Sequence, residues 1–406
     1  MSDPLQVTRR QLIKLGAAAL VSTRVSGRLY AAPSEGPRFL LIFLRGGYDS
    51  CNLLVPYTTP FYYEARPNIA IAAPETSSNT GALALDSDWA LAPAVRDSLG
   101  TMYAQRQIAF VPFAGSDDLS RSHFETQDSI ELGQPTVGSR NYRSGFLGRL
   151  CETLGGPSNL NSSIAFTDAL PLTFEGAAIV PNLSLKNLGK PPFDERQARI
   201  LSDMYAGHHL AAAVSNGLEL RQEVAQEFAD EMTAANRNAI NTKGFELEAE
   251  RMGRLMRDRY RIGFIDIGGW DTHVAEGAAQ GTLATNLGSL GRGLQVFAQS
   301  LGPEWKNTVV VVLSEFGRTF RENGNRGTDH GHGTVYWVLG GSIRGGTIAG
   351  EQQRLARRTL FQDRDYPVLN DYRAVLGGLF RSLWDLSPLQ SSRIFQDAPL
   401  MDLKLV

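Results

Sequence analysis

Cysteine is scarce: Cys51 and Cys151 are the only two in 406 residues. They lack the spacing of a metal-binding pair, and two thiols in so long a chain make no disulfide framework. One bridge between them and two separate thiols are both compatible with the sequence. Runs of basic residues are also missing. The formal net charge of −2 gives no long-range attraction to nucleic acid or an anionic membrane, so no nucleic-acid partner is expected. Beyond the first thirty residues no apolar segment approaches transmembrane length. Internal repeats and low-complexity tracts are absent. With 42% hydrophobic and 20% charged residues, the composition excludes a disordered or fibrous chain.

What is present begins at the N-terminus. Thr8-Arg9-Arg10-Gln11-Leu12-Ile13-Lys14 precedes Leu15-Gly16-Ala17-Ala18-Ala19-Leu20-Val21. A paired-arginine segment followed by a short, weakly apolar one reads as a targeting peptide. The order Thr-Arg-Arg-x-Leu-Ile-Lys resembles the twin-arginine signal, by which bacteria export a passenger already folded. That resemblance implies a periplasmic or extracellular protein with the twin-arginine export machinery as a partner. Cleavage is expected near Tyr30-Ala31-Ala32. Arg24 and Arg28 also allow retention as an anchor, which would give membrane contact only through this segment. The expected organisation is a signal over residues 1–32 and a single α/β domain over 33–406.

Five apolar runs bounded by glycine, proline or polar residues read as strands buried on both faces. They cover residues 38–44, 107–112, 261–267, 308–313 and 334–339. Helical patterns over 93–105 and 283–301 precede two of them, and 366–390 reads as a closing helix. Residues 194–257, rich in Ala, Glu, Arg and Gln, read as a helical cap insertion that would set the substrate. Alternating strands and helices predict a largely parallel central sheet sandwiched by helices.

Ligands of an open α/β sheet bind beyond the carboxyl ends of its strands. There the chain places Asp49 after the first run, Asp271 and His273 after the third, and Glu315 after the fourth. Asp329, His330 and His332 stand just before the fifth. With His123 in the segment after the second run, four of the six histidines fall in Gly- and Asp-rich motifs. Mixed oxygen and nitrogen ligands suit one or two divalent ions, zinc or manganese or similar. No organic cofactor is expected. Each residue also has a plainer reading: a turn aspartate, a Glu315–Arg318 pair, or hydrogen-bonded loop histidines. Their convergence on one sheet edge favours the metal site. After the second run, Ser122-x-x-Glu125 is a capping-box pattern. The same segment could hold a hydroxyl nucleophile at a helix N-terminus. The two readings agree if Ser122 caps and Ser120 attacks, with Arg121 holding an anion and His123 lining the pocket. His208 and His209 receive no role.

The ordered motifs are Leu44-Arg45-Gly46-Gly47-x-Asp49-x-x-Asn52, Ser120-Arg121-Ser122-His123-Phe124, Gly269-Trp270-Asp271-Thr272-His273, Ser314-Glu315-Phe316-Gly317-Arg318-Thr319 and Asp329-His330-Gly331. Together with the signal, they resemble the bacterial family named domain of unknown function 1501. That family looks like a branch of the alkaline phosphatase and sulfatase superfamily. The resemblance implies an alkaline phosphatase-like fold, with Asp49 at the first-strand metal position and Ser120 or Ser122 in the nucleophile region. It also implies Asp271 and His273 as the pair of one metal, and His330 or His332 as the late histidine. Phe316 departs from it, standing where a metal-binding histidine is usual. One site then lacks a ligand unless Asp329 or a second late histidine replaces it. The expected function is an exported, metal-dependent hydrolase of a phosphate or sulfate ester, on a small molecule or a polymer. The alternative is a non-catalytic binding or assembly protein that keeps a structural metal.

Overall fold

In the computed structural model, which describes residues 36–75, 80–155, 162–185, 195–227 and 244–406, the five apolar runs lie in one sheet. The paired-arginine segment lies outside the described residues. β1 (Arg38–Leu44) is followed by β2 (Leu54–Val55), β3 (Leu83–Ala84) and β4 (Ala90–Leu91), three short strands of a small antiparallel sheet. β5 (Ile108–Gly115), β6 (Ser163–Ala165), β7 (Ile262–Ile267), β8 (Thr308–Ser314), β9 (Thr334–Gly340), β10 (Thr347–Ile348) and β11 (Asn370–Asp371) join β1. The order is β10-β5-β9-β8-β1-β7-β6, with β11 also pairing with β5. Pairing is parallel except on the two sides of β9, which runs against β5 and β8. The sheet is therefore mixed and mostly parallel, flanked by helices.

Both faces of the long strands are covered, which is why their sequences are continuously apolar rather than alternating with polar residues. Leu40, Ile42 and Leu44 of β1 enter one core, and Phe39, Leu41 and Phe43 enter the other. The same alternation separates Val310 and Val312 from Val309, Val311 and Leu313 in β8. Cys51 lies in the first core and Cys151 in the second, so the sheet separates them and both are free thiols.

The helices follow in chain order: α1 (Pro60–Ala65), α2 (His123–Leu132), α3 (Phe146–Leu154), α4 (Glu195–Met204), α5 (Ala211–Glu227), α6 (Phe245–Asp258), α7 (Thr282–Leu301), α8 (Tyr372–Trp384) and α9 (Pro388–Ile394). The first core is closed by α6 and α7, the second by α3 and α8. Residues 93–105 form no regular helix. A tight 3-10 turn at Pro93–Val95 and a wide turn at Arg96–Gly100 precede one α turn at Thr101–Ala104. The cap region divides. The described side chains of α4 and α5 are exposed or half-buried, whereas α6 buries Ala249, Met252, Leu255 and Met256 and leads into β7. That helix is a structural layer of the fold. Among the described residues no helix is long and apolar enough to cross a membrane.

Glycine sets how closely α6 and α7 approach. A Cβ on Gly253 would lie 2.5 Å from Ser300 Cβ and 3.0 Å from the Phe297 carbonyl oxygen. Alanine normally gains about 1 kcal/mol over glycine within a helix. Here overpacking against backbone outweighs that gain. Gly253→Ala should destabilise the protein by about 1–3 kcal/mol, read as a lower urea midpoint. A raised midpoint would show that the helices can separate at little cost.

Candidate metal centre

The sheet brings distant loops to one edge. Leu44 of β1 is level with Ile267 of β7 and Ser314 of β8, so the loops after all three strands emerge together. β9 runs the other way, so residues 328–333 enter it from that same edge. β5 is antiparallel to β9, and the segment after it starts α2 there.

Three imidazoles are held through Nδ1 and present Nε2 to one carboxylate. His123 Nδ1 lies 2.8 Å from Glu315 Oε1, His330 Nδ1 lies 3.0 Å from the Arg121 carbonyl, and His273 Nδ1 lies 3.4 Å from Asp329 Oδ1. Carboxylates and carbonyls only accept, so Nδ1 of His123 and His330 carries the proton. In the neutral form each of these two rings turns a lone pair at Nε2 inward. His273 Nε2 is 2.9 Å and His330 Nε2 3.3 Å from Asp271 Oδ1, and they lie 3.1 Å from each other. His123 Nε2 lies 3.5 Å from Asp271 Oδ2 and is buried without a hydrogen-bond partner. Ligand atoms of His123, Asp271 and His330 all fall within 4.8 Å of one another. The Arg318 guanidinium pairs with Asp271 Oδ1 and lies 3.5 Å from His273 Nε2, whereas no donor or cation reaches His123 Nε2. The donor set therefore fits a divalent metal ion, with the Nδ1 acceptors fixing ring orientation from behind.

Glu315 is one of those supports. Its Oε1 also accepts from Gly46 N at 2.8 Å and Gln127 Nε2 at 2.9 Å, and Oε2 accepts from Ser314 Oγ at 2.8 Å. Burial pushes this carboxyl's pKa up, but the bonds from His123, Gln127 and the backbone outweigh it and hold the pKa below the usual range. Arg45 orients Gln127 through its Oε1 at 2.9 Å.

Arg318 is buried between the loops. It donates to the carbonyls of Gly46 (2.7 Å), Gly47, Thr328 (3.0 Å) and Trp270 (3.3 Å), and pairs with Asp271. A Cβ on Gly47, at φ +60°, would lie 2.4 Å from the Phe316 ring, so this close approach requires glycine. Burial raises the pKa of Asp271, but Arg318, followed by His273 and His123, holds it below the usual range. The Phe316 ring packs 5.0 Å from both His123 and His330.

The expected residues thus divide. Asp271, His273 and His330 meet, and His123, read from sequence as pocket lining, joins them. Glu315 and Asp329 stand behind imidazoles. Asp49, expected as a first-strand ligand, is instead fully buried, paired through both oxygens with Arg66, and accepts from Cys51 N. His332 is buried against Phe361, outside the converging set, where burial lowers its pKa to about 4. Ser120 Oγ lies 3.2 Å from Thr126 Oγ1 and accepts from Ser122 N. Ser122 precedes α2 with extended backbone, but its hydroxyl makes no capping bond, so the expected capping box does not form. Arg121, at φ +52°, pairs with Asp365 at 2.8 Å while its carbonyl holds His330. Gln127, which supports Glu315 from the same helix as His123, is not among the residues expected from sequence. Its position four residues after His123, on the same helical face, was the available signal.

The chain belongs to the family described as protein of unknown function (DUF1501), which matches residues 37–395. No curated protein matches it in sequence. Several solved structures are similar. One is Ps i-CgsB in complex with k-i-k-neocarrahexaose, at TM-score 0.38 and 11% identity over 90% of this chain and 75% of that one. Another is a protein in the alkaline phosphatase superfamily from Vibrio parahaemolyticus, at TM-score 0.36 and 11% identity over 78% and 63%. A third is the lipoteichoic acid synthase LtaP from Listeria monocytogenes, at TM-score 0.36 and 8% identity over 94% and 78%.

The placement of Asp49 separates two outcomes. Asp49→Asn should lower stability by roughly 3–5 kcal/mol, because it leaves the buried Arg66 charge unpaired. Metal bound per folded chain should not change. Denaturant unfolding and elemental analysis of one preparation check both, and a lost metal equivalent would return Asp49 to the ligand set.

Proposed function

We propose that the centre holds one divalent metal ion and that the protein is an exported hydrolase of a phosphate or sulfate ester. The observation that supports this is the commitment of three imidazoles by Nδ1 to oxygen acceptors, which leaves their Nε2 atoms around Asp271. A set of nitrogen donors with one carboxylate suits zinc or manganese. Such an ion, when bound, would act as a Lewis acid toward the ester's non-bridging oxygens. We assign the nucleophile to Ser122 because its hydroxyl makes no capping bond, whereas Ser120 is engaged with Thr126. Ser122 lies directly before His123, at the start of α2, where free backbone N–H groups favour an anion. Its oxygen would displace the alcohol, the serine proton leaving with it, and water would then release the anion. The ordered motifs and their superfamily resemblance support the ester class. The Thr8–Lys14 order supports export.

A second reading, a binding or assembly protein with a structural metal, draws on Arg318 and Phe316. The guanidinium already pairs with Asp271 Oδ1, the oxygen that His273 and His330 approach, and Phe316 offers no ligand atom. Both readings limit the centre to a single ion.

Elemental analysis of purified protein should find about one equivalent of metal per chain. Asp271→Ala and His330→Ala should each remove it. Affinity should fall as acid protonates the imidazoles. Ser122→Ala should keep the metal and lose turnover of aryl phosphates or sulfates, while Ser120→Ala keeps both. Metal without turnover in the wild type would favour the second reading, and metal-free protein would end both.

A further inference from the structure

Glu276 lies outside the centre yet touches both loops that form it. It is completely buried. Its Oε2 accepts from Thr272 Oγ1 at 2.9 Å and from Thr328 Oγ1 at 3.1 Å. Thr272 stands between Asp271 and His273, and Thr328 precedes Asp329 and His330. The backbone also ties these loops, from Thr328 N to the Thr272 carbonyl at 3.2 Å. One carboxyl oxygen therefore fastens the two segments that carry Asp271, His273 and His330.

The other oxygen explains how a carboxyl survives there. Glu276 Oε1 is buried and no donor reaches it. Asp49 is close enough for a side-chain hydrogen bond with Glu276. Asp49 is already paired with Arg66, so the guanidinium does not serve a second carboxylate equally. Two buried carboxyls side by side need a proton between them. Placed on Oε1, that proton converts the orphaned acceptor into a donor toward Asp49. The charged and titratable groups facing Glu276 are Asp49, Arg66 and Cys51. Burial first and Asp49 next raise its pKa to about 9, against the opposing pull of Arg66 and Thr272.

We propose that Glu276, in its neutral form, is a positioning residue that clamps the Asp271–His273 loop to the Asp329–His330 loop at the spacing metal binding requires. This rests on the metal reading above. Since the folded protein holds the proton more tightly than the unfolded chain, the clamp's contribution is complete below the ordinary carboxylate range. It is lost as pH rises through about 9. Above that, adjacent negative charges on Glu276 and Asp49 repel and pull at both threonine contacts.

Chelator-buffered zinc titrations of the full chain test the clamp, with wild type, Glu276→Ala, Glu276→Gln and Asp271→Ala compared at neutral pH. Glu276→Ala should weaken zinc binding roughly ten- to a hundredfold. Glu276→Gln should match wild type, since its amide oxygen can serve both threonines and its NH2 can donate to Asp49. Melting of the metal-free proteins from neutral pH to above 9 reads the proton independently. Wild type should lose thermal stability across that range by more than Glu276→Gln. Unchanged zinc affinity in Glu276→Ala, or equal losses in both variants, would overturn the clamp, as would identical melting profiles of wild type and Glu276→Gln. Zinc failing to bind wild type would instead overturn the metal reading, and the melting profiles would still decide whether Glu276 carries the proton.

Discussion

A buried guanidinium binds the strand-end loops together. Arg318 reaches carbonyls in the loop after β1, the loop after β7 and the segment before β9, and pairs with Asp271. Its charge is delocalised over a planar fork, which is why one side chain can serve several oxygens at once. That reach dictates its neighbours. Gly47 leaves room for Phe316, and Gly46, whose Cβ would lie 2.7 Å from Asp271 N, lets the first and third loops touch. Phe316 then backs two imidazoles. The motif around Gly46 and the motif around Arg318 are two halves of one contact.

The long strands were legible in the sequence because both their faces are buried, so a continuous apolar run is their signature. Strand direction carries no such signature, and the reversed β9 could not be read from Thr334–Gly340 alone. The region of α6 looked like a surface cap because charged residues surround its buried stripe of Ala249, Met252 and Met256. At the site, Asp271, His273 and His330, all read from strand-end position, lie side by side. The same reading failed for Asp49, because position does not reveal which partner claims a carboxylate. Arg66, 17 residues further on, lies inside the first core and takes both oxygens. His123 had a capping box as its neighbouring pattern, and the cap did not form because the Ser122 hydroxyl does not reach the helix backbone.

Charge is arranged in two layers behind that sheet edge. The inner layer balances internally: Asp49 meets Arg66, and Glu276 remains neutral at ordinary pH. It therefore imposes little field on the outer layer while supporting its loops through Thr272 and Thr328. Two negative groups without this proton would cost far more, since buried charge is stabilised only by pairing or coordination.

The outer layer does not balance internally. Arg318 offsets Asp271, but Glu315 is ionised, almost fully buried, and receives only neutral donors besides the His123 ring. Its charge calls for a cation at His123. A proton at Nε2 meets that need, and the Glu315 bond accordingly raises the pKa of His123. A metal ion at Nε2 would meet it equally and would also have Asp271 and His330 within reach, which a proton on one ring does not. The two cations compete for the same lone pair. Glu315 raises the basicity of that lone pair toward both, whereas burial lowers the pKa of His330 and so weakens proton competition on the other side. Within that set an ion would draw on three donors, whereas a proton is held firmly by only one.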